Sequence, residues 1–191
     1  LDNTPQKSNF GGNTMLAISI AAARLAAKIA NIPLWKHIRN YSGIQPHNAP
    51  LRLFVNMING GLHAKNNLAF QEYIVIPRAA SIAGSFDIAK KIFLETEILL
   101  KARSPNNQVP IGDEGGFMPN FPDNVAPFDL LKEATRDVGA ENDIDLGLDA
   151  SGSNIKIPYK TLEAWYRDAK KEHGLSYLED PFGENDFDAF A

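Results

Sequence analysis

The sequence predicts an α/β fold in which helices precede an antiparallel pair of strands and then a series of β/α units. Residues 51–58 and 70–77 are apolar, strand-like runs separated by a short connector, and this arrangement favours antiparallel pairing. In the second half of the chain, helix-like and strand-like patterns alternate, which is typical of the parallel units of a β/α barrel.

The N-terminal part of the chain predicts two helices. Residues 1–13 are polar and predict a loop, whereas residues 15–30 are rich in alanine and in larger apolar side chains. Alanine has the highest helix propensity and few polar residues interrupt the pattern, so we predict a helix that is buried on most sides. Asn31 and Pro33 end this helix, and residues 33–41 predict a short second one.

The later elements follow from apolar patterns that polar turns separate. The predicted helices span residues 85–103, 127–138 and 159–172, and the predicted strands span residues 144–148 and 175–178. The sequence begins at Leu1 rather than at Met and ends in a helix-like pattern. These two features predict a fragment of a longer chain.

The composition excludes several classes of protein. The 191 residues are 44% hydrophobic and 22% charged, which is ordinary for a globular domain with a substantial core. The net charge of -4 gives no support to a nucleic-acid partner, and the absence of cysteine excludes disulfides and thiolate zinc sites. No apolar run approaches the roughly 18 residues of a membrane helix. We therefore predict a cytoplasmic protein without a nucleic-acid or membrane partner.

Acidic side chains occur where strand-like runs end. Asp149 and Glu179 each follow an apolar run, and Glu114 lies in the glycine-flanked stretch 109–117. In β/α barrels the carboxyl ends of the strands gather the functional groups. Carboxylates held together there repel one another unless a cation neutralises them, and oxygen ligands suit magnesium. The pattern predicts Mg²⁺ bound by Asp149 and Glu179, although either residue alone is equally consistent with a cap at a strand end.

Other polar residues are candidates for proton transfer or binding. Glu114 is a candidate general acid or base, because a carboxyl among other carboxylates can hold a proton, and a solvated turn is its alternative interpretation. Glu72 follows Gln71 in an otherwise apolar strand, where an acid that faces water at a sheet edge is the alternative. His63 follows two glycines that would allow a ligand to approach, and a surface or packing role is its alternative.

These residues lie in stretches that together resemble successive motifs of the enolase family, in the family's order. The resemblance covers nearly the whole chain, and it is specific as a set although no single motif is. The matching stretches are residues 1–8, 55–64, 71–73, 112–120, 147–150 and 178–182.

The resemblance implies a lyase of glycolysis that reversibly dehydrates 2-phosphoglycerate to phosphoenolpyruvate with Mg²⁺. It also implies a partial TIM-like β/α barrel of the enolase type, whose first strand pair is antiparallel. On this interpretation residues 1–45 are the last helices of an α+β N-terminal domain, and residues 46–191 are the first part of the barrel. Because the family is usually dimeric or larger, a homo-oligomer is expected for the full-length protein.

The resemblance also assigns roles to particular residues. It places Mg²⁺ on Asp149 and Glu179. It makes Glu114 the proton donor that helps the C3 hydroxyl to leave, with Glu72 beside it and His63 as a third catalytic residue. Substrate contacts are implied for His63, Gln71, Glu72 and Glu179.

The chain also departs from the family pattern. The third magnesium carboxylate, the lysine base and later substrate-binding residues of the family have no counterpart here, so we expect little turnover from this polypeptide alone. Ser153, Asn154 and Ile155 stand where the family tends to have Ser-Glu-Phe and a longer loop. A non-catalytic binding module and a different dehydratase of the enolase superfamily are the two alternative interpretations.

Overall fold

The structure is a computed structural model that describes residues 2–45 and 51–190. The chain divides into two compact units, Leu1–Ala49 and Pro50–Ala191. The predicted domain boundary between residues 45 and 46 adjoins a segment outside the described residues, and it stays a prediction.

The first unit contains the two predicted helices, α1 (Gly12–Ile29) and α2 (Leu34–Ser42). The expectation that α1 is buried on most sides was wrong, because Ala27 is the buried residue of this helix and Leu25 and Ile29 are 59% and 78% exposed. An apolar composition does not bury a helix unless other elements cover it, and within this unit α2 is its neighbour. Within the described residues no single helix has the length and hydropathy of a membrane span, although the bent pair of α1 and α2 passes that test by length and composition only.

The second unit is built on a four-stranded sheet with the order β1 (Val55–Asn59), β2 (Glu72–Pro77), β3 (Ile144–Asp149) and β4 (Leu175–Glu179). Strands β1 and β2 pair antiparallel, as predicted, and β3 and β4 pair parallel. Strand β2 also runs antiparallel to β3, so it opposes both of its neighbours. Its amino-terminal end therefore lies at the same rim of the sheet as the carboxyl-terminal ends of the other three strands.

Helices cover the sheet and complete the core. They are α3 (Ile82–Arg103), α4 (Ala126–Asp137), α5 (Tyr159–Asp168), which continues into a π-helical turn (Ala169–His173), and the short α6 (Phe187–Phe190). The side chains of Tyr73 on β2 and Phe128 on α4 are both fully buried, and their rings meet edge to face with centroids 5.0 Å apart. Burying side chains of this size contributes about 1.5–3 kcal/mol each, so this packing holds the sheet rim in place.

Candidate active site

The strand register brings three acidic side chains into one line at the rim of the sheet. Glu72 is the pairing partner of Asp149, and Asp149 is the partner of Glu179. Paired residues on neighbouring strands project to the same face of a sheet, with their Cβ atoms close together. We call Glu72, Asp149 and Glu179 the acid row. The two residues proposed as metal ligands thus lie side by side on neighbouring parallel strands.

The acids of this row perturb one another. Burial raises the pKa of Glu72 to about 7, helped by the charges of Glu114 and Asp149 and by a hydrogen bond with Glu114. Burial also raises the pKa of Asp149, aided by the charges of Glu179 and others and opposed by the backbone N–H of Ser151, which donates to Asp149 Oδ1 at 2.9 Å. A nearby cation would stabilise the ionised forms of these carboxylates and would lower their raised pKa values.

A tight turn carries Glu114 to the acid row. The N–H of Phe117 donates to the carbonyl of Met57 at 2.9 Å, and the N–H of Asn59 donates to the carbonyl of Phe117 at 2.8 Å. These bonds fasten the turn to the edge of β1 that faces away from β2. Gly115 has a φ of 85°, in the left-handed region that favours glycine, at the tip of the turn.

Two asparagines of β1 contact Glu114, and sequence reasoning missed both. Asn59 Nδ2 donates to Glu114 Oε2 at 2.6 Å, and Asn56 Nδ2 approaches the same oxygen at 3.4 Å. Asn59 is also the pairing partner of Glu72, so it extends the line of the acid row onto β1. The sequence feature that could have identified them is the presence of two amides in a strand that is otherwise apolar.

Gln71 and Tyr177 hold the two proposed metal ligands. The backbone N–H of Gln71 donates to the carbonyl of Asp149 at 3.0 Å, and its side-chain Nε2 lies 3.4 Å from Asp149 Oδ2. The hydroxyl of Tyr177 donates to Glu179 Oε2 at 3.0 Å. Sequence reasoning named Gln71 but missed Tyr177, although two residues that are two apart on a strand share one face.

Two further residues, His63 and Asp180, belong to loops beside this rim. His63 ends a 3₁₀ turn (Gly61–His63), and its side chain lies outside the described part of the structure. Asp180 has a φ of 47°, and its carbonyl accepts a hydrogen bond from the N–H of Gly152 at 2.7 Å. This bond ties the loop after β3 to the loop after β4.

The donors of this rim fit a hard divalent cation. Asp149 and Glu179 present carboxylate oxygens, the ligand type that Mg²⁺ prefers, and their side chains are neighbours across β3 and β4. Among the acidic and imidazole side chains that the structure describes, which do not include that of His63, no three are gathered closely enough to enclose an ion. The described residues therefore offer two ligands for Mg²⁺, which usually keeps several waters in its coordination shell.

Comparison with known proteins places this geometry in a family. The family described as "Enolase, C-terminal TIM barrel domain" matches residues 49–156, and "Enolase, N-terminal domain" matches residues 1–38. The barrel match confirms the predicted fold class, which the structure shows as a mixed α/β fold with a small open sheet.

Curated relatives agree with these matches. The chain is 34% identical over 203 residues to an enolase of Methanocaldococcus jannaschii, covering 100% of this chain and 47% of that protein. It is 35% identical over 204 residues to an enolase of Saccharolobus islandicus, covering 100% of this chain and 48% of that protein. It is 37% identical over 200 residues to an enolase of Ehrlichia ruminantium, covering 97% of this chain and 46% of that protein. The chain thus spans about half the length of the curated relatives it matches.

Proposed function

Because this chain belongs to the enolase family, we propose that it carries part of a lyase active site for the magnesium-dependent, reversible dehydration of 2-phosphoglycerate to phosphoenolpyruvate. The observation that supports this proposal is the strand register that lines up Glu72, Asp149 and Glu179, with Glu114 carried to the same rim. The reaction needs a proton donor for the leaving hydroxyl and positive charge for the anion that forms.

Asp149 and Glu179 would hold Mg²⁺ in this proposal. When bound, the ion supplies positive charge that stabilises the developing enolate of the substrate. Gln71 contributes by keeping Asp149 at the rim through its backbone and side-chain contacts. Gln71, Glu72, Glu179 and His63 are the residues proposed to contact the substrate.

Glu114 would donate the proton that lets the C3 hydroxyl leave as water. Glu72 is its acidic neighbour, and burial, together with the charge and hydrogen bonding of Glu114, raises the pKa of Glu72 to about 7. A carboxyl that holds a proton near neutral pH beside the proposed donor can pass that proton to Glu114 after Glu114 has protonated the leaving hydroxyl. Solvent would then return a proton to Glu72. Glu72 is therefore proposed as the partner that keeps Glu114 supplied with a proton.

For the whole protein we propose a homo-oligomer that acts in glycolysis in the cytoplasm. Family membership supports this proposal. Gel filtration and fractionation of the cell that makes the protein would test it.

Metal binding tests the proposed site directly. We expect Mn²⁺, measured by the loss of its free electron paramagnetic resonance signal, to bind the 191-residue chain. Asp149→Asn and Glu179→Gln should each weaken this binding about tenfold or more, which corresponds to ~1.4 kcal/mol. Asp137→Asn, on the exposed end of α4, is the matched control and should leave binding unchanged. If the unmodified chain and the three variants bind Mn²⁺ equally, the acid row holds no ion.

Turnover is tested separately by the absorbance of phosphoenolpyruvate formed from 2-phosphoglycerate. We expect little or no turnover from this chain alone, because no lysine in it matches the base of the family. Metal binding without turnover would support the proposal that this chain carries only part of the active site. It would also favour a non-catalytic binding role for the chain in isolation. Robust turnover would show that another residue of the chain supplies the base.

A further inference from the structure

Strand β1 places two amide side chains in an otherwise apolar strand. Asn59 is 1% exposed, and Asn56 is half-buried. Among the described residues, the side-chain oxygen Oδ1 of each is buried without a hydrogen-bond partner. An unpartnered buried carbonyl opposes folding, so a strand that carries two of them needs a compensating reason.

The side-chain nitrogen atoms of the same two asparagines supply this compensation. The Nδ2 groups of both residues converge on one atom, Glu114 Oε2, at 2.6 Å for Asn59 and 3.4 Å for Asn56. Hydrogen bonds to a carboxylate are stronger than those between neutral groups, and the shorter of these two has the length of such a bond.

An irregularity in β1 makes this convergence possible. Residues three apart on a regular strand project to opposite faces, because side chains alternate. Between Asn56 and Ile58 the register of β1 with β2 shifts, which is the effect of a β-bulge. The bulge turns Asn56 and Asn59 toward the same carboxylate.

The turn that carries Glu114 is shaped to fit these amides. A Cβ atom added at Gly116 would collide with Asn59 Oδ1 and would lie 2.9 Å from Asn56 Oδ1. A Cβ at Gly112 would lie 3.0 Å from Asn59 Oδ1. The backbone of the turn therefore comes this close to β1 only because both positions lack a side chain.

We propose that Asn59, assisted by Asn56, is a positioning residue that fixes the carboxylate of Glu114 beside the acid row. We call these two amides the asparagine clamp. Glu114 is exposed at a turn, where a glutamate would otherwise sample several rotamers, and the clamp selects one of them. The proposal rests on the role of Glu114 in the proposed function, but its contacts can be measured independently of turnover.

The test observes the Asn59 side-chain amide by NMR in the 191-residue chain labelled with ¹⁵N-asparagine. In the unmodified chain, we expect one Nδ2 proton of Asn59 to resonate downfield because it is bound to a carboxylate. Glu114→Gln replaces the charged acceptor by a neutral one of the same shape and should move this signal upfield. Glu114→Leu removes the acceptor and should cause a larger shift.

Asp113→Asn is the matched control, because Asp113 is the exposed carboxylate beside Glu114 in the same turn. It should leave the Asn59 signal in place. These substitutions lie outside the core, so backbone amide spectra should show a folded chain in every variant. An Asn59 signal that is the same in the unmodified chain, Glu114→Gln and Glu114→Leu would overturn the clamp.

The clamp and the proposed function can fail separately. Loss of Mn²⁺ binding in Asp149→Asn with an unmoved Asn59 signal in the Glu114 variants supports the metal site and overturns the clamp. A shifted Asn59 signal with no effect of Asp149→Asn on Mn²⁺ binding supports the clamp and overturns the metal site.

Discussion

At the residue scale, the side chain of Tyr177 is held on two sides. Its ring meets that of Phe54 edge to face at 4.6 Å, and a Cβ on Gly147 would lie 3.2 Å from Tyr177 Cδ1. Burial, and then the hydrogen bond with Glu179, raise the pKa of Tyr177. The hydroxyl therefore stays protonated, and it donates a hydrogen bond to Glu179 Oε2. A group that orients a metal ligand in this way commonly affects metal affinity.

Tyr177→Phe should weaken Mn²⁺ binding by about tenfold, because Glu179 loses the donor that orients it. The ring contacts are retained, so the loss of one hydrogen bond should lower the free energy of unfolding by about 1 kcal/mol at most. Binding is measured by electron paramagnetic resonance and stability by urea unfolding. Tyr41→Phe, at an exposed position of α2, is the control. If both variants bind Mn²⁺ equally, Tyr177 does not position Glu179.

A second residue organises the N-terminal loop of the first unit. The Asp2 carboxylate accepts hydrogen bonds from the hydroxyl and N–H of Thr4 at 2.6 and 3.0 Å, and from the N–H groups of Asn9 and Phe10 at 2.9 Å each. The Thr4 hydroxyl and these backbone donors outweigh burial and lower the pKa of Asp2 to about 2.

This lowered pKa predicts a dependence of loop stability on pH. Because the folded pKa lies below the ordinary value of 3.8, the stabilisation is fully present above that value and is lost as the pH falls toward 2. Protection of the Phe10 amide from hydrogen exchange should therefore decrease between pH 4 and pH 2 in the unmodified chain. Asp2→Asn should show low protection and little change over this interval, whereas Asp137→Asn should behave like the unmodified chain. If the Phe10 amide of Asp2→Asn is as strongly protected at pH 4 as that of the unmodified chain, this account of the loop is contradicted.

At the element scale, the turn that carries Glu114 depends on glycines for two different reasons. Gly115 has a φ of 85°, a conformation that L side chains rarely adopt. Gly116 is buried, and a Cβ there would meet the amide of Asn59. The first requirement is local to the backbone, whereas the second involves a strand more than fifty residues earlier in the sequence.

The two requirements predict different costs for the same substitution. Gly115→Ala should lower the free energy of unfolding by ~1–2 kcal/mol through backbone strain alone. Gly116→Ala should lower it by ~1–3 kcal/mol through overpacking, and it should also displace the Asn59 side-chain amide signal. Urea unfolding and ¹⁵N-asparagine spectra measure the two effects. An Asn59 signal that moves equally in both variants would contradict the separate origins.

At the scale of the whole molecule, the four-stranded sheet of the described residues ends at β4. An edge strand offers unpaired backbone groups to another chain. Beside this edge lies a cavity of about 460 Å³ that is lined largely by side chains of α5 and β4, including Tyr166, Leu175 and Leu178. An edge of this kind predicts self-association of the chain at high concentration.

A charge on this edge should reduce that association. Ser176 is exposed on β4, and Ser176→Lys should lower the apparent mass at high concentration in sedimentation experiments, because lysine opposes edge pairing. Ser153→Lys, in the exposed loop after β3, adds the same charge away from β4 and is the control. If Ser153→Lys lowers the apparent mass as much as Ser176→Lys does, net charge rather than the β4 edge governs association.

The sequence by itself determined the order of the elements, the antiparallel first pair, the acids at the strand ends and the family. These features depend on local spacing and residue type, which hydrophobic patterns and motifs record directly. Tertiary structure alone decided that β2 opposes both of its neighbours, that Glu72 stands beside Asp149, and that Asn56 and Asn59 reach Glu114. It also left α1 largely exposed, against expectation. Register, bulges and burial arise from pairing between distant segments, so a pattern read along one segment cannot specify them.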